Sequence, residues 1–356
     1  MNREKITVRQ LLAILAAGLF SFSGVLIETA LNVTFPTLMD EFSITTSTVQ
    51  WMTTGNLLML GIFIPISSFL KRRFKTKSLF LTAGFLFSIG LITDIIAPTF
   101  IVLLTGRLLQ GIGVGIALPM MYNIILEESP KHLLGLMMGC GSFITAAAPV
   151  VGPTFGGMMT QYFNWRFIFV GVLAVIVVSM IMGYVCIQNH QINQNAKLDS
   201  LGFVFISISF IALIIGLSNL DKIMITPIIP LACFIIGTLT IGYFIKHEKQ
   251  ESEPLIHFEI FKEKSFCLHT VAIMCLQITT LGLGLLLPSY VQIVIVRSAS
   301  DGGFVLLPGA VMGAVFSPIG GIILDKFGAK KPIFLGVLCS GLSIFMFLVF
   351  NYNLTL

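Results

Sequence analysis

The chain alternates long apolar runs with short segments that carry charged or turn-forming residues. A helix needs about 20 mostly apolar residues to cross the hydrocarbon core of a bilayer. The sequence predicts eleven such helices, at 11–35, 48–70, 78–97, 99–126, 133–160, 166–188, 200–219, 225–245, 266–296, 303–324 and 332–350. The pattern therefore indicates an all-α integral membrane protein.

Basic residues are distributed unevenly between the loops on the two sides of these predicted spans. Of 21 Lys and Arg residues, all but four fall in the N-terminal segment and in every second loop after it; the exceptions are Arg107, Arg166, Lys222 and Arg297. Loops rich in Lys and Arg remain in the cytoplasm. We therefore expect a multi-pass protein of the cell membrane with a cytoplasmic N-terminus. Because topology accounts for the net charge of +5, a nucleic-acid partner is not expected.

Composition narrows the function further. Residues are 56% hydrophobic and only 10% charged, whereas soluble domains are about 25% charged. The sequence contains no phosphate-binding G-x-x-x-x-G-K-[ST] loop, so we expect no use of ATP. No metal-ligand spacing and no nucleophile–base motif stands out, so neither a cofactor, nor a metal, nor an enzymatic activity is expected. If the protein uses an energy source, we expect it to be an ion gradient.

Two stretches of the chain align when the sequence is shifted by 253 residues. Ser47–Lys77 then falls on Ser300–Lys330, with Phe74 opposite Phe327 and a basic loop after both. Repeated helical bundles are typical of transporters, whose substrate site lies between the repeats near the membrane midplane. The short match favours such a repeat, although chance similarity is the alternative.

Glu28 lies near the centre of the first predicted span. A carboxylate there costs roughly 2.5–3.5 kcal/mol on insertion scales, so it is expected to face the protein interior or a watery cavity. Asn32 follows one helical turn later and Ser21 precedes it by two turns, which gives one polar face. Glu28 is a candidate for loading and releasing a proton as its exposure alternates. The alternative is a paired acid with a purely structural role.

Arg107 is the basic residue placed deep within a predicted span. A guanidinium stays charged, so it needs an acidic partner or water. Gln110 shares its helical face, and Glu28 is the candidate partner in a proton-coupling pair. The alternative is a structural ion pair. Asp94 lies near the outer end of its span, four residues before Pro98, where it could be either functional or merely interfacial.

The fifth predicted span contains several small residues and two prolines. Gly152 and Gly156 lie on one face with Ala148 and Thr160, which predicts close packing against another helix. The prolines, among them Pro153, are expected to bend the helix. A bent, closely packed helix suits a rocking bundle, but from the residues alone plain packing is the favoured interpretation.

Polar residues also recur in the ninth predicted span, where Gln277 and Tyr290 could face a cavity opposite Glu28. Together with Asn32 and Gln110 they form a candidate lining for a substrate cavity. The alternative is ordinary core or lipid-facing positions. The loop near 246–265 contains apolar residues that predict either a short helix on the membrane surface or a plain linker.

Four motifs together resemble the major facilitator superfamily, and specifically its fourteen-span drug:proton antiporters related to quaternary-ammonium and lincomycin efflux pumps. The motifs are Glu28-Thr-Ala-Leu-Asn-Val-Thr-Phe-Pro36, Gly106-Arg107-Leu-Leu-Gln110-Gly111-Ile-Gly113, Gly152-Pro153-Thr-Phe-Gly156-Gly157 and Gly321-Ile-Ile-Leu-Asp325-Lys-Phe-Gly328. By resemblance, the second motif carries the proton-linked arginine and the third is the antiporter-associated motif. The fourth is a gating loop that includes Asp325 and Gly328.

The resemblance implies a domain organisation. We expect a six-helix bundle over 1–190, two additional membrane helices over 191–246, a cytoplasmic loop over 247–265 and an incomplete three-helix second bundle over 266–356. The chain would then hold about 11 of 14 spans and lack its C-terminal end. The first gating loop departs from the family because Arg72 stands where an aspartate is expected.

The expected function is secondary active transport, namely proton-coupled export of amphipathic or cationic drugs, with protons, drug-like solutes and membrane lipid as partners. Alternatives are an uptake carrier or metabolite exporter of the same fold, or a truncated, non-transporting remnant or assembly partner.

Overall fold

The computed structural model describes residues 6–189, 198–220, 227–251, 254–293, 295, 299–328 and 330–350. Its α-helices are α1 (Val8–Phe42), α2 (Thr46–Val49), α3 (Trp51–Arg73), α4 (Thr76–Ile95), α5 (Phe100–Glu128), α6 (Leu134–Tyr162), α7 (Arg166–Cys186), α8 (Ser200–Ser218), α9 (Ile228–Glu248), α10 (Lys264–Ile293), α11 (Ala299–Phe327) and α12 (Lys330–Phe350). No β-strand occurs over these ranges, so the prediction of an all-helical protein is confirmed.

Every predicted span corresponds to one long helix of this set. Within the described ranges, nine segments are long and apolar enough to cross a membrane, and they extend from α1 to Lys264–Gly284 of α10. The multi-pass character of the protein is thereby confirmed. That α11 and α12 also cross the membrane stays a prediction, as do the fourteen-span pattern and the domain boundaries.

Local sequence defines the two ends of α1. At its start, Thr7 Oγ1 accepts a hydrogen bond from the Gln10 amide at 3.3 Å, and the Gln10 side chain accepts one from the Thr7 amide at 2.8 Å. This reciprocal arrangement satisfies amides that have no partner within the helix. At its end, Ser43 adopts a left-handed conformation with φ of 52°, which stops the helix.

The main core lies among α1, α4, α5, α6 and α7. Helix α1 packs against α5, α6 and α7, while α4 contacts both α5 and α7. Phe20 of α1 makes edge-to-face contacts with Phe80 and Phe87 of α4, with ring centroids 5.7 and 5.4 Å apart. Such contacts between aromatic rings fix the relative position of the helices that carry them.

Helix α6 is held between α1 on one side and α11 on the other. The small-residue face predicted from sequence packs on α1, because Gly156 lies so close to Ala30 that a Cβ there would collide with the Ala30 carbonyl oxygen. Gly157 on the adjacent face has more room, with Val33 Cγ1 3.9 Å from an added Cβ. Glycine thus permits the close approach of α1 and α6.

Helices α8 and α9 form a hairpin that packs on α3 through a second apolar cluster. Its buried members are Ile66, Phe69, Ile206, Phe244 and Leu255. The segment that follows α9 forms a short 3-10 helix, Phe258–Lys262, and Leu255 just before it is only 6% exposed. Of the two predictions for this segment, a surface helix or a plain linker, the structure shows only a short 3-10 helix. Leu255, just before it, is buried in the core of the hairpin.

Candidate functional site

A chain of three buried polar side chains links α5 to α4. Arg107, Gln110 and Asp94 each have no measurable solvent exposure. The Arg107 NH1 group donates to Gln110 Oε1 at 2.5 Å, and Gln110 Nε2 donates to Asp94 Oδ2 at 2.7 Å. Gln110 therefore connects a guanidinium to a carboxyl group through two hydrogen bonds inside the helix bundle.

Two glycines make this arrangement possible. A Cβ at Gly90 would lie 2.6 Å from the Gly106 carbonyl oxygen, so α4 and α5 touch nearly backbone to backbone. The Asp94 side chain lies against Gly106, where any side chain would collide with Oδ1. That oxygen is buried and has no hydrogen-bond partner. Since Oδ2 already accepts from Gln110, Oδ1 is the oxygen of Asp94 that is available to take up a proton.

Helix α3 supports the same arginine from another side. Asn56, which is 3% exposed, donates from Nδ2 to the Arg107 carbonyl oxygen at 2.9 Å. The Arg107 Nε group also points to the Met52 carbonyl oxygen at 3.5 Å, a long contact. Arg107 is thus held by its backbone and its side chain, which restricts where its positive charge can move.

Glu28 of α1 faces this site and is half-buried. Its charge and that of Asp94 both act on Arg107. One turn further along α1, Asn32 accepts a hydrogen bond from Thr53 of α3 at 3.3 Å. Glu28 is thus near enough for its charge to act on Arg107, but no ion pair within 4.0 Å joins these two described residues, and their role as a proton-coupling pair stays a prediction. Asp94 is a second acid whose charge acts on the same guanidinium.

The other predicted lining residues lie elsewhere. Gln277 and Tyr290 are exposed on α10, a helix that packs on α11. A shallow apolar cavity of about 350 Å³ occurs instead between α6 and α11, lined by Val150, Val151, Thr154, Phe155, Met158 and Leu307. Whether Asn32, Gln110, Gln277 and Tyr290 line one substrate cavity stays a prediction.

The two predicted gating loops differ in what can be described. In the second, Gly328 has a φ of +74°, which glycine adopts readily and which ends α11; the Asp325 side chain lies outside the described part. The first lies in the last turns of α3, where Lys71 forms an ion pair with Glu127 of α5 at 2.5 Å. A lysine of this motif therefore makes a charge contact with α5 although Arg72 replaces the expected aspartate.

At the opposite end of the bundle, four residues join the end of α1, the segment after α4 and the start of α7. Glu41 accepts hydrogen bonds from Trp165 Nε1 at 2.6 Å and from Arg166 NH1 at 2.8 Å. Arg166 NH2 also donates to the Ala97 carbonyl oxygen at 2.9 Å, and its guanidinium lies 4.1 Å from the Trp165 ring centroid. We call Glu41, Ala97, Trp165 and Arg166 the Glu41 clamp.

Sequence reasoning undervalued Asp94 and missed Asn56. Asp94 lies four residues before Pro98, a position typical of a membrane interface, and its burial depends on the close contact of α4 with α5. The available signal was Gly90, one turn before Asp94, which permits such a contact. Asn56 resembles many other polar residues in an amphipathic span, and nothing in its local pattern points to Arg107.

Comparison with known proteins agrees with this architecture. Over 328 residues the chain is 37% identical to YhcA, an uncharacterised MFS-type transporter of Bacillus subtilis (strain 168); the match covers 92% of this chain and 61% of YhcA. It is 34% identical over 323 residues to the lincomycin resistance protein LmrB of the same strain, covering 90% of this chain and 67% of LmrB. The chain thus spans roughly two thirds of the length of these relatives.

A solved structure shares the fold. The proton:xylose symporter XylE, bound to 6-bromo-6-deoxy-D-glucose, matches 90% of this chain and 70% of its own with a TM-score of 0.59 and 14% sequence identity. Residues 14–355 match the family model for the Major Facilitator Superfamily. On these grounds, the chain belongs to the Major Facilitator Superfamily of membrane transporters.

Proposed function

We propose that this chain is a secondary active transporter of the fourteen-span drug:proton antiporter group and that it exports amphipathic or cationic drug-like molecules in exchange for protons. One observation carries the proposal: Asp94 and Glu28 both act on the buried Arg107, and Gln110 bridges Arg107 to Asp94. The similarity to a lincomycin resistance protein supports drug export as the direction of transport.

The balance of charge at this site gives a physical reason for it to bind one proton. With both acids ionised, two negative charges face one guanidinium, and the site carries an excess negative charge inside the bundle. An uncompensated charge in such surroundings is costly. One proton on either acid removes the excess. Asp94 Oδ1, buried and without a partner, and the half-buried Glu28 are the two places where that proton would reside.

A cationic substrate would remove the same excess charge. If the proton and the substrate compete for one net negative charge, only one of them is bound at a time. Such exclusive occupancy makes antiport follow from electrostatics, provided that the site opens alternately to the two sides of the membrane. Asn32, together with Gln277 and Tyr290 of the second bundle, would supply polar contacts to the substrate. Gln110 could join them only by releasing Arg107 or Asp94, which occupy both ends of its amide.

Helix α6 is suited to the conformational change that opens the site alternately to the two sides of the membrane. It contacts α1 at Gly156 and α11 on its other side, so it lies between α1 of its own bundle and α11 of the second bundle. Pro149 and Pro153 lie within it and remove backbone donors. In this account the N-terminus faces the cytoplasm, and α6 and α11 move against each other as the bundles rock.

The test is dye extrusion from cells that lack their own efflux pumps. Ethidium accumulation is followed in cells expressing this chain, with and without a protonophore, and for Glu28→Gln beside Glu259→Gln, an exposed carboxylate of a connecting segment. We expect extrusion that the protonophore abolishes, that Glu28→Gln loses and that Glu259→Gln keeps. Absence of extrusion by membrane-inserted wild-type chain, or full extrusion by Glu28→Gln, contradicts the proposal.

An uptake carrier of the same fold is the second candidate, because the structural neighbour XylE is a proton symporter. Direction of transport distinguishes the two in vesicles of known orientation. Export requires that a proton gradient directed into the cell drives the solute outward. Co-movement of solute and proton in the same direction would favour the carrier.

A further inference from the structure

A separate cluster of ionisable side chains lies where α8 begins and α9 ends. Asp199 precedes α8, and its Oδ1 accepts a hydrogen bond from the Gly202 amide at 2.9 Å, which caps the helix. The same oxygen lies 2.8 Å from Nε2 of His247, in the last turn of α9. The side chain of Asp199 is only 4% exposed.

Glu251 joins this pair from one turn beyond His247. The Glu251 amide donates to the His247 carbonyl oxygen at 3.1 Å, so the helical turn continues to Glu251 and its carboxyl lies on the histidine side. Its Oε2 is 3.9 Å from His247 Nε2. One ligand atom from each of Asp199, His247 and Glu251 lies within 4.8 Å of the other two.

A fourth residue, Glu248, lies beside Asp199 on the side of Gly202. Glu248 is 3% exposed, and its Oε2 accepts a hydrogen bond from the Ile256 amide at 3.0 Å. Its Oε1 is buried without a hydrogen-bond partner, as is Oδ2 of Asp199. Both oxygens crowd the space that a side chain at Gly202 would fill, and Glu248 Oε1 lies 2.6 Å from that Cβ position.

Two buried carboxyl oxygens without donors need a positively charged occupant between or beside them. The occupant is either a proton that Asp199 and Glu248 share or a metal ion.

We propose that Asp199, His247 and Glu251 form a binding site for a divalent first-row transition metal ion such as Zn²⁺, with Glu248 as a further ligand. One imidazole nitrogen with carboxylate oxygens is a donor set that such ions accept. A shared proton would involve Asp199 and Glu248 alone. It would leave unused the histidine and glutamate one turn apart, which already direct their donors to the same point.

The ion would connect the start of α8 to the end of α9 and, through Glu248, to the segment at Ile256. It would thereby fix the hairpin that packs on α3. The inference does not depend on the proposed transport function, because the cluster is formed by the α8–α9 hairpin and lies apart from Arg107 in the sequence.

Zinc titration of the purified full chain tests the site. The protein carries a purification tag without histidines, and binding is followed by calorimetry at neutral pH for wild type, His247→Ala and Glu251→Gln. His132→Ala, a substitution at an exposed histidine in another segment, is the matched control. Thermal melting with and without Zn²⁺ is recorded for each variant, since a ligand that binds the native state stabilises it.

We expect one Zn²⁺ per chain, with affinity reduced by at least about tenfold in His247→Ala and in Glu251→Gln and unchanged in His132→Ala, since metal affinity depends on each donor that is removed. Zn²⁺ should raise the melting temperature of wild type but not of His247→Ala. If His247→Ala fails to fold, Glu251→Gln gives the same comparison. The metal site is overturned if wild type shows no saturable Zn²⁺ binding, or if His247→Ala binds Zn²⁺ as tightly as His132→Ala. Either result leaves a proton shared by Asp199 and Glu248 as the occupant.

Discussion

The Arg107 guanidinium donates to Gln110 Oε1 at 2.5 Å, and this contact fixes which end of the Gln110 amide faces α4. An arginine only donates hydrogen bonds, so the amide oxygen must point to it and the amide nitrogen must point away, to Asp94. The orientation of one neutral side chain thus depends on the positive charge on one side and on an acceptor on the other. A substitution of Arg107, Gln110 or Asp94 should therefore disturb the hydrogen bonds of the other two residues.

Asp94→Asn tests whether this acid belongs to the proton pathway. The substitution keeps the shape of the side chain but removes its charge and its ability to take up a proton. We expect proton-driven dye efflux to fall by at least about tenfold, because ionisable groups inside membrane helices mark proton pathways. Asp40→Asn, at an exposed position near the end of α1, is the control. Equal efflux by both variants would show that Asp94 is dispensable.

Gln110→Leu removes the hydrogen-bonded bridge and replaces the amide with an apolar side chain of similar size. Arg107 then loses a hydrogen bond, and Asp94 loses its donor from Gln110. Since a hydrogen bond to a charged group contributes about 1.5–3 kcal/mol, we expect a lower free energy of unfolding and a melting temperature lower by several degrees. Gln161→Leu, exposed at the end of α6, should change the melting temperature little. Equal melting of the two variants would contradict a stabilising bridge.

Gly156→Ala and Gly157→Ala form a matched pair on α6. A methyl group at Gly156 collides with the Ala30 carbonyl oxygen, whereas one at Gly157 meets Val33 at 3.9 Å. Overpacking costs about 1–3 kcal/mol, so Gly156→Ala should lower the melting temperature and Gly157→Ala should not. If the contact of α1 with α6 guides the rocking of the bundles, Gly156→Ala should also lower transport more than Gly157→Ala does. Identical behaviour of the two variants would refute the close approach.

Arg166→Lys tests the Glu41 clamp while keeping the positive charge. A lysine cannot contact Glu41 and the Ala97 carbonyl oxygen with the fixed fork of the guanidinium, and it loses the stacking on Trp165. Because the pair is partly exposed, the expected loss of stability is only about 1 kcal/mol. The check is chemical denaturation of wild type, Arg166→Lys and Arg166→Ala. We expect the lysine variant to resemble the alanine variant; wild-type stability in Arg166→Lys would mean that charge alone suffices.

The order and extent of the helices followed from sequence because each membrane span must bury about 20 apolar residues and satisfy its own backbone. Glu28 and Arg107 are predicted as a functional pair by the same logic, since a charge within such a run requires a partner. Asp94 was harder to place. Its distance from Pro98 indicated an interface, whereas its burial results from Gly90 and Gly106 bringing α4 and α5 together.

The cluster at Asp199 and His247 shows a second limit. The two residues are separated by 48 positions and by one complete hairpin. Individually, Asp199 is a helix cap and His247 a residue of the last turn of α9, roles that local sequence explains without a site. Only the pairing of α8 with α9 brings them within 2.8 Å.

The most direct test of the central claim is substrate movement in proteoliposomes under an imposed pH gradient. The purified chain is reconstituted, ethidium transport is driven by the gradient alone, and wild type is compared with Glu28→Gln and Glu259→Gln. Proton-for-drug exchange predicts uphill ethidium transport by wild type and Glu259→Gln and none by Glu28→Gln. Uphill transport that persists in Glu28→Gln, or that wild type performs without a pH gradient, would contradict it.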